Sequence, residues 1–231
     1  MKLFQSRAGY RFSLDALLLA HFATLKRRDQ VVDLGAGCGV IALILARLHP
    51  EIEITAVELQ GALAARAARN VKLNRLEGRI TVARGDVRAA ARIGAGESFD
   101  AAVCNPPYRR SAGVRISVNE ERRIARHEIH GELADFIGAA SYLLRAGGRL
   151  AVVYWAERAV DLLASMRRAG LEPKRLRLGH SFAHSEGSLV LVEAVKQGRS
   201  GMEILPPLIV YRQGNEYSDE VAAMIAGKAS A

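Results

Sequence analysis

A rhythm constrains this chain more than any other feature. Short apolar runs, rich in β-branched residues and closed by a polar residue, alternate with stretches of helix formers. Residues 31–34, 52–58, 80–86, 99–105, 149–155 and 188–195 read as strands. Between them, residues 13–25 (with Ser13 as N-cap), 40–48, 61–74, 131–145 and 156–169 read as helices, the last two stopping at Gly147-Gly148 and at Gly170. Strands alternating with helices predict an α/β fold with a doubly wound, mostly parallel sheet. At 231 residues the chain suits one domain, with 1–29 a helical lead-in and 30–231 the core and a C-terminal extension.

Such sheets bind ligands at the carboxyl ends of their strands, and Asp33, Glu58, Asp86 and Asn105 each close a predicted strand. Composition excludes several other function classes. Half of the residues are apolar and a quarter charged, which is globular and not disordered. Cys38 and Cys104 are too few for a disulfide scaffold or an unaided zinc site. The start of the chain has no apolar signal region and no run is long enough to span a bilayer, so a soluble cytoplasmic protein is expected. The formal charge of +9 makes a polyanionic partner plausible, although arginine-rich composition alone is weak support.

Asp33-Leu34-Gly35-Ala36-Gly37-Cys38-Gly39 joins the first strand to the helix at 40–48. Glycines let backbone approach a ligand, and the helix start offers free N–H groups. Residues 37–42 satisfy one version of the dinucleotide fingerprint, and Glu58, 19 residues past Gly39, suits a ribose hydroxyl. The cofactor is then a nicotinamide dinucleotide or S-adenosylmethionine; the added Gly35, with Asp33 before it, favours the latter.

Asn105-Pro106-Pro107-Tyr108 follows the fourth strand. Two prolines stiffen the loop and leave its carbonyls free. The Asn105 side-chain oxygen and the Pro106 carbonyl can accept both hydrogens of an exocyclic amino group, drawing a delocalised lone pair back onto nitrogen. Tyr108 offers a flat face for a planar substrate.

In that order, the glycine loop, Glu58, Gly85-Asp86 and the 105–108 tetrad resemble the class I methyltransferases, in the branch that methylates planar amino or amide nitrogens. Gly9 to Ala20, Arg123 to Glu128, Pro206 to Tyr211 and Tyr217 to Val221 look like the bacterial tRNA1(Val) adenine-37 N6-methyltransferases. The resemblance implies a Rossmann-like sheet of seven strands, S-adenosylmethionine as cofactor and tRNA as partner. It implies that Asp33, Gly35, Gly37 and Gly39 hold the methionine end, helped by Ser13 and Asp15. Glu58 binds the ribose, Asp86 the adenine amino group, and Val87 lies under the adenine ring. Asn105, Pro106, Pro107 and Tyr108 grip the target base, with Asn105 also beside the cofactor.

Arg109, Arg110, Arg115, Arg122, Arg123 and Arg126 follow the tetrad against only two acids, and are expected to contact RNA phosphates. A second cluster, Arg167, Arg168, Lys174, Arg175 and Arg177, reads more readily as a solvated face. The pairs His127/His130 and His180/His184 lack a third ligand, so no metal is expected. Gly179 to Ala183 nearly matches a nucleophile elbow but lacks its final glycine and the helix that should follow. The alternatives are a protein glutamine N5-methyltransferase acting on release factors, a DNA adenine methyltransferase and a non-catalytic RNA-binding protein. The first usually carries an added N-terminal helical domain, and the second a separate base-reading domain.

Overall fold

A computed structural model describes residues 1–4, 14–107 and 131–227. Its centre is one sheet in the order β3-β2-β1-β4-β5-β7-β6, built from β1 (Gln30–Leu34), β2 (Glu53–Glu58), β3 (Ile80–Arg84), β4 (Phe99–Cys104), β5 (Leu144–Trp155), β6 (Leu171–His180) and β7 (Gly187–Lys196). The first five strands are parallel, and β7 runs antiparallel to both β5 and β6. Two short pieces, β8 (Glu203–Ile204) and β9 (Leu208–Ile209), extend the β6 edge and bring the sheet to nine strands rather than seven. A hairpin of β10 (Tyr211–Gln213) and β11 (Glu216–Tyr217) stands apart.

Alternation along the strands divides the core. Val31, Ala101, Val103, Ala151 and Val153 face one apolar cluster, shared with α1 (Leu14–Phe22), α2 (Val40–Leu48) and α6 (Asp219–Ile225). Val32, Ala102, Cys104, Leu150 and Val152 face the other, with α4 (Leu133–Leu143) and α5 (Ala159–Arg168). The period of two thus gives the sheet two apolar faces, each covered by helices, as a parallel sheet requires. The helix α2, apolar all round, is buried through seven of its nine residues. The remaining helix, α3 (Gly61–Leu73), buries only Ala64, Ala67, Asn70 and Val71, as its amphipathic pattern predicts.

Two expectations are corrected. Residues 171–180 form a strand beyond those that the apolar runs predict. The helix expected to reach Gly147-Gly148 ends at Leu143, and both glycines lie inside β5. There the register against β4 shifts, and a Cβ on Gly148 would lie 2.9 Å from the Arg145 carbonyl oxygen and 3.1 Å from that of Asp100. Close backbone approach at a strand irregularity demands this glycine, not a helix cap.

Candidate functional site

The carboxyl ends of β1, β2 and β4 lie side by side, because Leu34 pairs with both Val57 and Cys104. Asp33, Glu58 and Asn105 are therefore brought together at one rim. The loop after β1 is sewn to β2: the Gly35 and Ala36 N–H groups both donate to the Val57 carbonyl, each at 2.9 Å. Gly35 has φ +75°, and a Cβ there would meet the Phe136 ring at 2.9 Å, so only glycine fits. Gly37 has φ +58° with nothing within 4 Å of a built Cβ, which leaves open space for a ligand against bare backbone. Gly39 then caps the start of α2.

Glu58, only 6% exposed, accepts the Gly37 N–H on one oxygen and the Gln60 N–H on the other, both at 2.8 Å. It braces the glycine loop to the β2–α3 turn. Each oxygen keeps lone-pair capacity for a further donor. This acid therefore also holds the loop's shape.

Asp33 is fully buried, and neither carboxylate oxygen has a hydrogen-bond partner among the described residues. Burial pushes its carboxyl up to about 7, and the neighbouring Glu58 charge adds to the rise. A buried acceptor with no donor costs stability, so a ligand donor such as an ammonium suits this position. Burial, with Asp33 nearby, likewise pushes the Cys104 thiol up, so that cysteine is an inert core group.

Asp86 follows the next strand end along the rim, where the Gly85 N–H donates to the Glu58 carbonyl at 3.1 Å. It caps the 3₁₀ turn Val87–Arg92 by accepting the Arg88 N–H at 2.9 Å, and the Arg88 guanidinium grips both its oxygens. That side-chain contact holds the Asp86 carboxyl below its ordinary value. Val87 is buried and close to Gly131 at the start of the α4 segment. Asp15 lies in the first turn of α1.

At the β4 end the Asn105 Oδ1 is buried with no hydrogen-bond partner among the described residues. Two residues on, Pro107 lines a cavity of about 240 Å³ with Leu133, Tyr154, Arg158, Ser165 and Arg168, among others, though Asn105 itself is not on that lining. That is below the ≈ 300–1,000 Å³ usual for small-molecule pockets, and suits one planar ring system. Sequence reading missed the Tyr154 and α5 wall of this cavity. The signals were present: Tyr154 precedes the end of β5, and Arg158, Asp161, Ser165 and Arg168 recur at helical spacing.

Ser13, Tyr108, Arg109, Arg110, Arg115, Arg122, Arg123 and Arg126 lie outside the described residues, as do His127 and His130. The second basic cluster is largely engaged: Arg167 pairs with Glu172, Arg175 with Glu193 and Arg177 with Glu220, while Lys174 donates to the Arg199 carbonyl. His180 is bonded to the Ser185 carbonyl, and Gly179 and His180 finish a strand that a turn links to β7. No group of three or more metal-binding side chains occurs among the described residues. None of their helices is long and apolar enough to cross a membrane.

Residues 15–168 match the family described as the methyltransferase small domain. A tRNA1(Val) (adenine(37)-N6)-methyltransferase of Trichodesmium erythraeum is 30% identical over 169 residues, covering 72% of this chain and 70% of that one. The protein of the same name from Histophilus somni is 27% identical over 228 residues, covering 94% and 89%. Among solved structures, a predicted O-methyltransferase, Atu636 of Agrobacterium tumefaciens, superposes with TM-score 0.77 at 25% identity, covering 94% of this chain and 98% of that one.

Proposed function

We propose a reaction from one premise: the chain belongs to the methyltransferase small domain family. Its cofactor is S-adenosylmethionine, which when bound supplies an electrophilic methyl group on a positively charged sulfur. The acceptor is the N6 amino group of an adenine in tRNA, and adenine 37 of tRNA1(Val) is the position that relatives are named for.

The residues fit that cofactor. The buried Asp33 carboxylate, without a hydrogen-bond partner among the described residues, and the open backbone at Gly37 suit an amino-acid end, with Gly35 and Gly39 shaping the loop and Ser13 and Asp15 closing it. Glu58 has lone pairs left for ribose hydroxyls. Asp86 and Val87 would take the adenine, Asp86 by sharing a carboxylate that Arg88 already orients.

The substrate adenine flips into the cavity beside Pro107, a requirement of chemistry on a base edge. Asn105 and the Pro106 carbonyl accept its two amino hydrogens, while Pro107 keeps the loop stiff and Tyr108 stacks on the ring. Their hydrogen-bond acceptance pyramidalises the nitrogen and frees its lone pair. No strong base is needed, because the proton becomes acidic once the nitrogen is alkylated. Orientation and electrostatics supply the rate.

One observation carries this reading: the buried Asn105 Oδ1 with no hydrogen-bond donor among the described residues. A hydroxyl acceptor, as in an O-methyltransferase, brings one hydrogen and leaves one of the paired carbonyls unmatched. Arg109, Arg110, Arg115, Arg122, Arg123 and Arg126 would neutralise backbone phosphates near the pocket. The test is incubation with methyl-labelled cofactor and, separately, total tRNA, release factor and DNA. Label in tRNA alone is expected. Label in the release factor or DNA, with none in tRNA, would overturn the reading.

A further inference from the structure

One group of side chains has no part in the chemistry above. The β6–β7 turn and the β10–β11 hairpin meet at the carboxyl rim of the sheet, where the Val210 N–H donates to the His180 carbonyl and the Tyr211 N–H to that of Ser181. Four rings line up there. His184 and Phe182 stack with centroids 5.7 Å apart and planes 13° apart. Phe182 lies 5.7 Å from Tyr211. Tyr211 stacks on Tyr217 at 5.2 Å and 20°. The rings at the two ends of this column, His184 and Tyr217, are exposed, and the inner two are half-buried.

Strand direction fixes which rim this is. Trp155 at the end of β5 pairs with Leu189 of β7, which pairs with Gly179 of β6. The column therefore stands on the same edge as Asn105, three strand spacings along, or about 14 Å. Ala183, Glu186, Arg212, Gln213, Asn215 and Glu216 around it are exposed and mostly polar, so no contiguous apolar patch offers itself to a folded protein. The rings form two near-parallel pairs joined through a 39° tilt between Phe182 and Tyr211; an exposed end ring takes another flat ring, and the chain's +9 charge favours a polyanionic carrier for it.

We infer that the His184–Phe182–Tyr211–Tyr217 column is a stacking platform for an unpaired base of the RNA substrate, near the base that enters the Pro107 cavity. The inference rests on the tRNA reading above and adds a second point of attachment to it. Stacking of a base on an aromatic ring adds affinity without sequence preference. Two anchored bases at a set distance would also favour a loop, with bases already splayed, over a duplex.

The test uses the full chain and steady-state methylation of total tRNA. His184→Ala and Tyr217→Ala should each raise KM for tRNA by about 5-fold or more, the low end for one lost stacked base. kcat, cofactor affinity and the thermal midpoint should match the parent, because both rings are exposed. Tyr217→Phe keeps the ring and should restore the parent KM. An unlabelled RNA oligonucleotide should compete better than an abasic one of equal length against the parent, and this preference should shrink in the alanine variants. Unchanged KM in both alanine variants would overturn the platform and leave the tRNA reading standing. So would a Tyr217→Phe variant as weak as Tyr217→Ala. A parent protein that methylates protein glutamine and not tRNA would overturn both.

Discussion

At the β2 turn, the Glu58 carboxylate accepts one backbone N–H on each oxygen; at the β4 turn, the Asn105 carbonyl is buried with no donor among the described residues. These groups sit on strands either side of β1, and both are close to the glycine loop. The cofactor end of the rim is thus partly assembled from the chain's own hydrogen bonds, so its loop is shaped before any ligand arrives. The substrate end withholds an acceptor, at a cost of about 1–3 kcal/mol for an unsatisfied buried group. Asp33 belongs with Asn105 in this respect. Groups that brace should reveal themselves in stability when changed, and groups that wait for a ligand should reveal themselves in binding or turnover.

The largest effect is expected at the waiting end. Asn105→Ala should lower kcat by on the order of 10²-fold or more, with cofactor affinity within a few fold and stability unharmed. Turnover equal to the parent, measured at saturating cofactor, would remove Asn105 from the reaction. At the braced end, Glu58→Ala should weaken cofactor binding by roughly 1.5–3 kcal/mol and also lower stability, since two backbone donors lose their acceptor. Calorimetric titration and chemical denaturation read these separately. A loss of affinity with no loss of stability would mean that the brace contributes nothing.

Asp33 sharpens the comparison through pH. Its folded value of about 7 lies above the ordinary 3.8, so the fold favours the protonated acid. That contribution is complete below about pH 4 and is lost as pH rises through 7, at up to about 1.4 kcal/mol per pH unit. Asp33→Asn removes this slope, so the difference in unfolding free energy between variant and parent should grow in the variant's favour from pH 4 to 8, without cofactor present. A flat difference would show that the acid is not desolvated. The variant should bind cofactor less well, because a neutral amide meets the ammonium where a carboxylate did.

The smallest effect separates the two basic clusters. Changing Arg109 and Arg110 together to Ala should flatten the slope of log affinity for tRNA against log salt by about 1.4, at about 0.7 per phosphate on a single strand. Changing Arg175, already paired with Glu193, should leave the slope as it is. Equal slopes for parent and double variant would return the first cluster to an ordinary solvated surface.

Much of this arrangement was legible from residues. The strands β1, β2, β4, β5 and β7 announce themselves by apolar residues on both faces, and Asp33, Glu58 and Asn105 mark the rim. The strand β6 did not, because Lys174, Arg175 and Arg177 interrupt it and Pro173 lacks a ladder donor. Those arginines are compatible with a strand because Glu193 and Glu220 meet them, a pairing invisible along the chain. At the site, the positions of Asp33, Glu58 and Asn105 followed from strand ends alone. Their different hydrogen-bond states did not, because the Gly37 and Gln60 donors reach Glu58 only after β1 and β2 pair. Arg88 turning back two residues onto Asp86 is likewise a local event that the motif does not encode.

The central claim is that paired carbonyls at the β4 turn select an exocyclic amino group. Digestion of methyl-labelled tRNA to nucleosides, followed by chromatography against standards, tests it most directly. All label is expected in N6-methyladenosine. Label in a 2′-O-methylated ribose, or on a ring nitrogen, would contradict it.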